Sequence, residues 1–483
     1  MIRFSAVGYV LGQFLLVLAA TMLAPLPFTF FGASGDARAM GLSIACTVGA
    51  GLALFAACRR PTTELTLREG LLLVCVVWFC VSLFGGLPFV FSPHFPTFTD
   101  AMYESVSGFT TTGASILPEV EVLPSDIQFW RHFSHWLGGM GIVLLGVAIL
   151  PLLGLGGMHL YRAEFSGAKS EKLKPRITEA AMSLWRIYFA LTAAQTVALK
   201  VAGMTWYEAV CHSMSTLGTG GFSTRTASVA GFNNPAVEYI IILFMILAGT
   251  NFTCHYRLWV ERRPGGFFGD VELRAWVAII LLCSLAITWS RLTQQPQPLE
   301  RAFRDSLFQV TSMIATCGFA TADFDKWLPF PQLLLIAVMF CGGCTGSTSG
   351  GFKVARVLLL FKVVGREFLR MIERRAVVAI RLGGKTIPEP AIQNLLNLIY
   401  LALIVNFASS LLLTATGVDP LSSITAVAAN MFGVGPGLRE VGPAANYSKL
   451  PALAKWVLMG DMLAGRLEFY TLLVILTPSF WRK

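Results

Sequence analysis

The chain contains 483 residues, of which 55% are apolar and only 13% are charged. Soluble proteins carry about a quarter of their residues as charges, so the composition indicates that lipid is the main solvent and excludes an ordinary soluble domain. The formal net charge is +10, but the basic residues flank apolar runs and do not form one patch. Binding of nucleic acid or of an anionic substrate is therefore not indicated.

Apolar runs of about 20 residues, long enough to cross a bilayer, recur along the chain. The first two lie near residues 5–31 and 40–57, and the first is interpreted as a retained span because no small-residue cleavage site follows it. Lys and Arg cluster in four stretches, at 58–61, 162–176, 257–263 and 353–385. Placing these stretches in the cytoplasm satisfies the positive-inside rule. We therefore predict a multi-pass protein of the lipid bilayer with both termini in the cytoplasm.

Four segments share one pattern. Each opens with an acidic residue, continues for about ten apolar or small residues and ends in a tail rich in Gly and Thr. The segments are DAMYESVSGFTTTGAS from Asp100, YEAVCHSMSTLGTGGFS from Tyr207, RDSLFQVTSMIATCGFA from Arg304 and DPLSSITAVAANMFGVGPG from Asp419. Aligning Gly113, Gly220, Gly318 and Gly435 gives separations of 107, 98 and 117 residues. An apolar span precedes and follows every segment.

Segments of this length are too short to cross a bilayer, so we predict re-entrant helices whose tails return as extended backbone. The acidic residues Asp100, Glu208, Asp305 and Asp419 are predicted to stand at the N-termini of these helices, where they complement the helix dipole. Four span–pore helix–span units around one axis would bring backbone carbonyls together in place of an ion's hydration shell. The predicted fold is an all-α polytopic membrane protein with about ten transmembrane helices and four re-entrant pore helices. The alternative is four ordinary Gly-containing loops. The predicted divisions are a two-helix extension at 1–64 and repeats at 65–160, 161–265, 266–386 and 387–483.

At this point the sequence resembles the TrkH/KtrB superfamily of potassium-uptake membrane subunits, and most closely its TrkH branch. Four long motifs carry the resemblance, which extends over essentially the whole chain. They are WRHFSHWLGGMGIVLLGVAILP at 130–151, STLGTGGFST at 215–224, CGGCTGSTSGGFKVAR at 341–356 and GRLEFYTLLVILTPSFWR at 465–482.

The resemblance implies a selectivity filter that binds potassium. Its predicted residues are Thr111, Thr112, Gly113, Thr219, Gly220, Gly221, Thr316, Cys317, Gly318, Val434, Gly435 and Pro436. Potassium is expected at Thr112, Thr219, Cys317 and Val434. Relatives that favour sodium often carry Ser at the first filter glycine, so Gly113 favours potassium.

The segment CGGCTGSTSGGFK at 341–353 interrupts an apolar run. Free backbone groups at membrane depth are tolerated only where protein or a water-filled cavity satisfies them, so we expect this segment to line the cavity below the filter. The alternative is a flexible kink between packed helices. The resemblance implies an intramembrane gating loop, and we hypothesise that it blocks ions in one state. The predicted loop residues are Gly342, Gly343, Thr345, Gly346, Ser347, Thr348, Ser349, Gly350 and Gly351.

Two basic residues are candidate pore charges. Arg466 lies in an otherwise apolar segment, where an ionisable group is a functional candidate by default, and the resemblance matches it to a pore-facing arginine. The alternative for Arg466 is a structural ion pair with Asp461 or Glu468. Lys353, at the base of the loop, is a second candidate that would pair with pore carbonyls or with a regulatory partner.

The predicted function is gated potassium uptake across the bacterial inner membrane. The sequence shows no catalytic constellation and no nucleotide fingerprint, so no enzyme activity and no organic cofactor are expected. The resemblance implies a homodimer and a cytoplasmic, TrkA-like ring of nucleotide-binding subunits. One alternative is a secondary transporter, a proton- or sodium-coupled cation symporter. The other is a membrane-embedded enzyme acting on a lipid-linked substrate.

Overall fold

The computed structural model describes residues 2–31, 34–58, 65–148, 173–294, 296–373 and 378–482. These residues are mainly helical. Large apolar side chains face outward, among them Phe30 (73% exposed), Leu282 (67%) and Phe407 (67%). A soluble protein rarely exposes so many large apolar groups together. The fold is that of an all-helical, multi-pass membrane protein, as the composition predicts.

The chain begins with an extension that precedes the repeats. It contains two long helices, α1 (Phe4–Thr21) and α3 (Ala37–Ala57), and a short helix between them, α2 (Leu26–Phe31). Helix α3 starts where the Asp36 side chain accepts a hydrogen bond from the Ala39 N–H at 3.0 Å, which satisfies one free donor of the first turn. Helices α1 and α3 make an extensive mutual contact. Gly12 and Gly51 lie in this contact, and a Cβ built on Gly12 would lie 2.9 Å from the Gly51 carbonyl oxygen.

The first two repeats follow. The first repeat contains α4 (Leu67–Gly85), α5 (Leu87–Phe91), α6 (Phe98–Phe109) and α7 (Ser125–Ala148). The second repeat contains α8 (Leu173–Val201), α9 (Trp206–Leu217), a 3-10 turn (Ser228–Phe232), α10 (Pro235–Gly249), α11 (Phe252–Trp259) and α12 (Pro264–Phe268).

The last two repeats complete the chain. The third repeat contains α13 (Val271–Gln294), α14 (Leu299–Ile314), a 3-10 turn (Phe324–Lys326), α15 (Pro329–Cys341), α16 (Val354–Ile372) and an antiparallel strand pair, β1 (Arg381–Leu382) and β2 (Lys385–Thr386). The fourth repeat contains α17 (Glu389–Ala415), α18 (Pro420–Met431), a 3-10 turn (Arg439–Val441), α19 (Ala452–Arg466), α20 (Tyr470–Leu476) and α21 (Pro478–Trp481).

Four short helices, one in each repeat, are here called the pore helices: α6, α9, α14 and α18. They have 12 to 16 residues, which is about 18–24 Å at 1.5 Å per residue and too short for a bilayer core of about 30 Å. Their side chains are buried on nearly every face, because longer helices surround them. The predicted boundary at 160–161 lies outside the described residues, and the other repeat limits stay predictions.

Acidic side chains stabilise the start of three pore helices, as predicted. Asp100 and Glu208 lie in the first turns of α6 and α9, and Asp419 caps α18 by accepting from the Ser422 N–H at 3.0 Å. The prediction is wrong for α14, which begins earlier, at Leu299. Asp305 lies inside that helix and forms an ion pair with Arg291 at 3.0 Å.

Not all of the ten predicted spans are single, continuous apolar helices. Five stretches of the described residues are long and apolar enough to cross a bilayer: Phe4–Phe30, Ala37–Ala57, Leu67–Phe91, Val271–Thr293 and Glu389–Ala415. Helices α10 and α11 form a sixth stretch bent by 97°. The other predicted spans correspond to α7 (24 residues) and α8 (29 residues), and to the helices after the filter in the third and fourth repeats, which are short, as in the 13-residue α15 and the 15-residue α19.

The close contact between α1 and α3 predicts that two glycines of α3 differ in how well they tolerate a large side chain. A Cβ on buried Gly51 would lie 3.0 Å from the Leu16 side chain, whereas exposed Gly49 has nothing within 4 Å. Gly51→Leu would force the helices apart and destabilise the protein by about 1–3 kcal/mol. Thermal unfolding of the detergent-solubilised protein measures this, with Gly49→Leu as the control. Equal melting temperatures for the two variants would contradict the packing described.

Candidate functional site

The four pore helices end in the same backbone turn. In each repeat, the second residue after the helix has a left-handed φ: Thr111 (56°), Thr219 (54°), Thr316 (52°) and Gly433 (68°). The next residue donates its N–H back to the helix, in the bonds Thr112 to Ser107 (2.9 Å), Gly220 to Ser215 (2.8 Å), Cys317 to Ser312 (2.8 Å) and Val434 to Ala429 (2.8 Å). A second residue with left-handed φ follows, and in every repeat it is a glycine: Gly113 (76°), Gly221 (76°), Gly318 (79°) and Gly435 (92°).

This repeated geometry corrects the predicted alignment of the second repeat by one residue. The equivalent of Gly113 is Gly221, and the residue equivalent to Thr112 is Gly220, where Thr219 was expected. Gly220 is glycine for a separate reason. A Cβ on it would lie 2.4 Å from the His135 ring, which packs directly behind the filter. Two adjacent glycines with different roles made the alignment ambiguous.

The four left-handed glycines close a ring of contacts. A Cβ built on each would fall 1.8–2.7 Å from a carbonyl oxygen of the next repeat: Gly113 meets Gly220 (1.8 Å), Gly221 meets Cys317 (1.9 Å), Gly318 meets Val434 (2.0 Å) and Gly435 meets Thr112 (2.7 Å). Real Cβ atoms do not approach this closely, so only glycine fits. The ring runs through repeats one, two, three, four and back to one, which is the order expected around a single axis.

A cavity of ≈ 130 Å³ lies on one side of this ring. One left-handed glycine from each repeat lines it, together with Pro436 and loops that follow the filter segments. Tyr447 in the last of these loops donates from its hydroxyl to the Gly435 carbonyl oxygen at 2.6 Å. The sequence analysis missed this residue, because a tyrosine in a polar loop gives no signal until the loop is folded over the filter.

The Gly342–Gly351 loop lies at the opposite end of the filter. The Gly350 N–H donates to the Thr316 hydroxyl at 2.7 Å, and a Cβ on Gly350 would lie 2.0 Å from the Phe432 carbonyl oxygen. Thr316 and Phe432 are the residues where the third and fourth filter segments begin. The loop therefore lies directly against these two segments, and its close approach requires glycine.

The loop is not a loose kink, because its backbone is bonded to the bend between α10 and α11. The Cys344 N–H donates to the Gly249 carbonyl oxygen at 2.9 Å, and the Phe252 N–H donates to the Gly346 carbonyl oxygen at 3.1 Å. The Thr348 hydroxyl donates to the Ala248 carbonyl oxygen at 3.2 Å. These bonds satisfy backbone groups that the bend and the loop would otherwise leave free at membrane depth.

Arg466 contacts the loop and not the acidic residues considered as its partners. Its guanidinium donates to the Thr348 carbonyl oxygen at 3.2 Å and to the Gly138 carbonyl oxygen at 2.7 Å. Asp461 instead accepts from the Ser409 hydroxyl at 2.8 Å, and Glu468 pairs with Arg356 at 2.8 Å. The ion-pair alternative for Arg466 is therefore wrong.

Lys353 adds a second cationic contact to the loop. Its ammonium group donates to the Ser349 carbonyl oxygen, one residue after the carbonyl that Arg466 holds. Lys353 has φ 75°, a conformation that is uncommon for a residue with a side chain. The two positive groups thus hold neighbouring carbonyls of the loop segment that faces the filter.

Glu272 holds the other side of the loop and was missed by the sequence analysis. Its carboxylate accepts from the Thr345 N–H at 2.7 Å, from the Thr345 hydroxyl at 3.1 Å and from the Ala355 N–H at 3.0 Å. It therefore joins the start of the loop to the start of α16. An acidic residue in the first turn of an apolar span is a recognisable signal, but its partners lie more than 70 positions away.

Together these features define the class: a multi-pass, all-helical membrane protein in which four pore-helix repeats meet at one ring, with an intramembrane loop against it. Comparisons with known proteins agree. A family model described as TrkH, cation transport protein, matches residues 38–483. The chain belongs to this TrkH family of cation transport proteins.

Individual relatives match over the full length. The chain is 40% identical to the Trk system potassium uptake protein TrkH of Salmonella typhimurium and to that of Escherichia coli K12, with 100% of each chain covered. The crystal structure of the potassium transporter TrkH from Vibrio parahaemolyticus matches with a TM-score of 0.92 at 37% identity, again over 100% of both chains. The predicted family and fold are thereby confirmed, and the family is one of transport proteins, not of enzymes.

The ring geometry predicts that Gly113 tolerates no side chain. In Gly113→Ala, the new methyl group would displace the Gly220 carbonyl oxygen, and an L-residue in this left-handed conformation costs roughly 1–2 kcal/mol. We expect cation flux in proteoliposomes to fall by about tenfold or more. Gly460→Ala is the matched control, because Gly460 lies on α19 with nothing within 4 Å of a new Cβ. A wild-type flux in the Gly113→Ala variant would show that the ring does not lie in the conduction pathway.

Proposed function

We propose that the chain is the ion-conducting subunit of a Trk-type potassium-uptake system of the bacterial inner membrane. The observation that carries this proposal is the closed ring of four glycine–carbonyl contacts. Four carbonyls held in a rigid ring replace the hydration shell of a monovalent cation. Relatives named as potassium uptake proteins over their full length support potassium as the transported ion.

The potassium site we propose is formed by the carbonyls of Thr112, Gly220, Cys317 and Val434. These four residues share the turn geometry described above, and each carbonyl lies against the left-handed glycine of a neighbouring repeat. Each pore helix ends three residues before the residue that supplies the carbonyl, and the partial negative charge at a helix C-terminus favours a cation there. The side chain of Cys317 does not enter the coordination in this proposal, because its backbone oxygen supplies the ligand.

The Gly342–Gly351 loop acts as the gate in this proposal. It blocks the filter from below, where the Gly350 N–H contacts Thr316. Arg466 and Lys353 hold its carbonyls from one side and Glu272 holds it from the other. A movement that breaks these bonds would open the passage, and α16, which begins directly after the loop at Val354, connects that movement to the following part of the chain.

The partners are inferred from the family resemblance, and the orientation is inferred from the basic residues. We infer a homodimer, both termini in the cytoplasm and a cytoplasmic, TrkA-like nucleotide-binding ring that docks on the basic stretches. Arg262 and Arg263 after α11 are exposed and available for such contacts. Residues 162–172 and 374–377 of the basic stretches lie outside the described part of the chain. The relatives' designation as members of a Trk system supports partner subunits.

The flux measurement that tests the function compares potassium, rubidium, sodium and lithium in proteoliposomes of the purified protein. We expect potassium and rubidium to pass faster than sodium and lithium, because the smaller ions lose more hydration energy than fixed carbonyls return. Absence of potassium flux, or equal flux for all four ions, would contradict the proposal.

A proton-coupled symporter is the second candidate, and one observation favours keeping it. Asp461 on α19 is only 4% exposed, and its Oδ2 has no hydrogen-bond partner among the described residues. An intramembrane carboxylate of this kind is a candidate proton carrier. Current reversal separates the two candidates. Reversal at the potassium potential at every pH supports the pore, whereas a shift with pH that Asp461→Asn abolishes supports coupling.

Removal of the gate predicts an increase in flux. Deleting Thr345–Gly350 takes away the backbone that contacts Thr316, so we expect potassium flux without any regulatory subunit to rise. Arg466→Gln removes one of the two cationic contacts to the loop and should give a smaller rise. The same proteoliposome assay measures both variants. Unchanged flux in the deletion variant would show that the loop does not block the passage.

A further inference from the structure

Each pore helix carries a polar side chain that reaches the chain just beyond the filter. In the first three repeats this residue lies nine positions before the left-handed glycine: Glu104, His212 and Gln309. The fourth repeat has Ala426 at this position, and the preceding Thr425 takes over. We call these four residues the braces.

The braces contact equivalent positions just beyond the filter in all four repeats: three accept from backbone N–H groups, and His212 contacts a side-chain hydroxyl. Glu104 accepts from the Ile116 N–H at 3.0 Å and from the Ser115 hydroxyl at 2.9 Å. His212 Nε2 contacts the Ser223 hydroxyl at 3.0 Å, and the Thr425 hydroxyl accepts from the Leu438 N–H at 3.1 Å. The Gln309 amide oxygen, placed so that it faces two backbone N–H groups, accepts from the Thr321 N–H at 2.9 Å.

The first brace differs because it is charged. Glu104 is fully buried and forms an ion pair with Arg131 of α7, which is 2% exposed, at 2.5 Å. Arg131 continues into the second repeat. Its Nη1 donates to the Ser223 carbonyl oxygen at 3.2 Å, and its guanidinium lies 3.5 Å above the centre of the Phe222 ring. One ion pair thus joins the backbone after Gly113 to the backbone after Gly221.

Stability alone does not explain this pair. Burying two charges costs several kcal/mol in desolvation, and an apolar pair of similar volume often stabilises a protein as well or better. The pair instead fixes the relative positions of the groups around it, because the planar guanidinium binds a carboxylate, a carbonyl and an aromatic face in fixed directions. Those three partners lie immediately outside two neighbouring filter segments.

We propose that the Glu104–Arg131 ion pair determines the ion selectivity of the filter, by fixing the distance between the first and second filter segments. The inference rests on the proposed function, since it concerns which cation the carbonyl ring accepts. With the pair intact, the carbonyls of Thr112 and Gly220 cannot close around a smaller ion. Without it, this side of the ring relaxes and sodium and lithium gain access.

Two variants test the inference. Arg131→Lys keeps the charge and the ion pair but cannot bind Glu104, the Ser223 carbonyl and the Phe222 ring together. Glu104→Gln with Arg131→Met removes both charges, which avoids leaving one buried charge unpaired. The readout is the ratio of potassium to sodium flux in proteoliposomes. We expect the ratio to fall about tenfold in both variants, the factor that corresponds to the loss of about one net hydrogen bond.

The matched controls use a second buried ion pair on a pore helix. Arg291 of α13 and Asp305 of α14 have side chains that are 11% and 9% exposed and lie 3.0 Å apart. The other contacts of Arg291 are Ala302, Gln297 and Trp327, at the outer end of the helix. We expect Arg291→Lys, and Asp305→Asn combined with Arg291→Met, to keep the wild-type flux ratio even where thermal stability falls.

The outcomes separate the inference from the proposed function. Wild-type protein without selective potassium flux would overturn the function itself. Selective wild-type protein together with a wild-type ratio in a folded Arg131→Lys variant would overturn the role of the ion pair. A ratio that falls equally in the α14 controls would also overturn it, because the effect would then follow from any buried ion pair. If the double variant fails to fold, the Arg131→Lys ratio decides.

Discussion

The whole arrangement depends on backbone approaching backbone without a side chain between. At each corner of the ring, a left-handed glycine of one repeat lies against a carbonyl of the next, so closely that even a methyl group would collide. Short pore helices, long surrounding helices and inward-reaching polar side chains all serve to bring four such corners together. The hydrocarbon phase makes this necessary, because irregular backbone at membrane depth must find every partner inside the protein.

The intramembrane loop obeys the same rule on the inner side of the filter. Its amides and carbonyls are satisfied by α10, by Thr316, by Glu272 and by Arg466. Of these groups, α10 belongs to the second repeat, Thr316 and Glu272 to the third, and Arg466 to the fourth. The loop therefore sits where all parts of the passage converge, and a small shift in any of the neighbouring helices alters its contacts.

Much of this architecture was predictable from sequence because it depends on local signals. A segment too short to span, with an acidic start and a Gly-rich tail, predicts a re-entrant helix whatever surrounds it. Asp305 misled because an acidic residue near a helix start is only a cap if the helix begins there, and α14 begins six residues earlier. Gly220 misled because two neighbouring glycines serve different needs, one steric and one conformational.

The partners of charged groups could not be predicted, since they are set by tertiary packing. The alternative considered for Arg466 was an ion pair with Asp461 or Glu468, which are close in sequence, but Arg466 reaches Thr348 and Gly138. Glu104, Arg131 and Glu272 are ionisable residues within or beside apolar segments, which marks them as candidates but does not show what they contact.

The four braces are Glu104, His212, Gln309 and Thr425, which are four different chemical groups in four equivalent places. A channel assembled from identical subunits repeats each substitution on every side of its axis. Here all four repeats lie in one chain with different sequences. A substitution can therefore change the geometry of one repeat while the other three keep theirs. Such a protein has access to small, graded changes in ion preference that a symmetric assembly cannot make one step at a time.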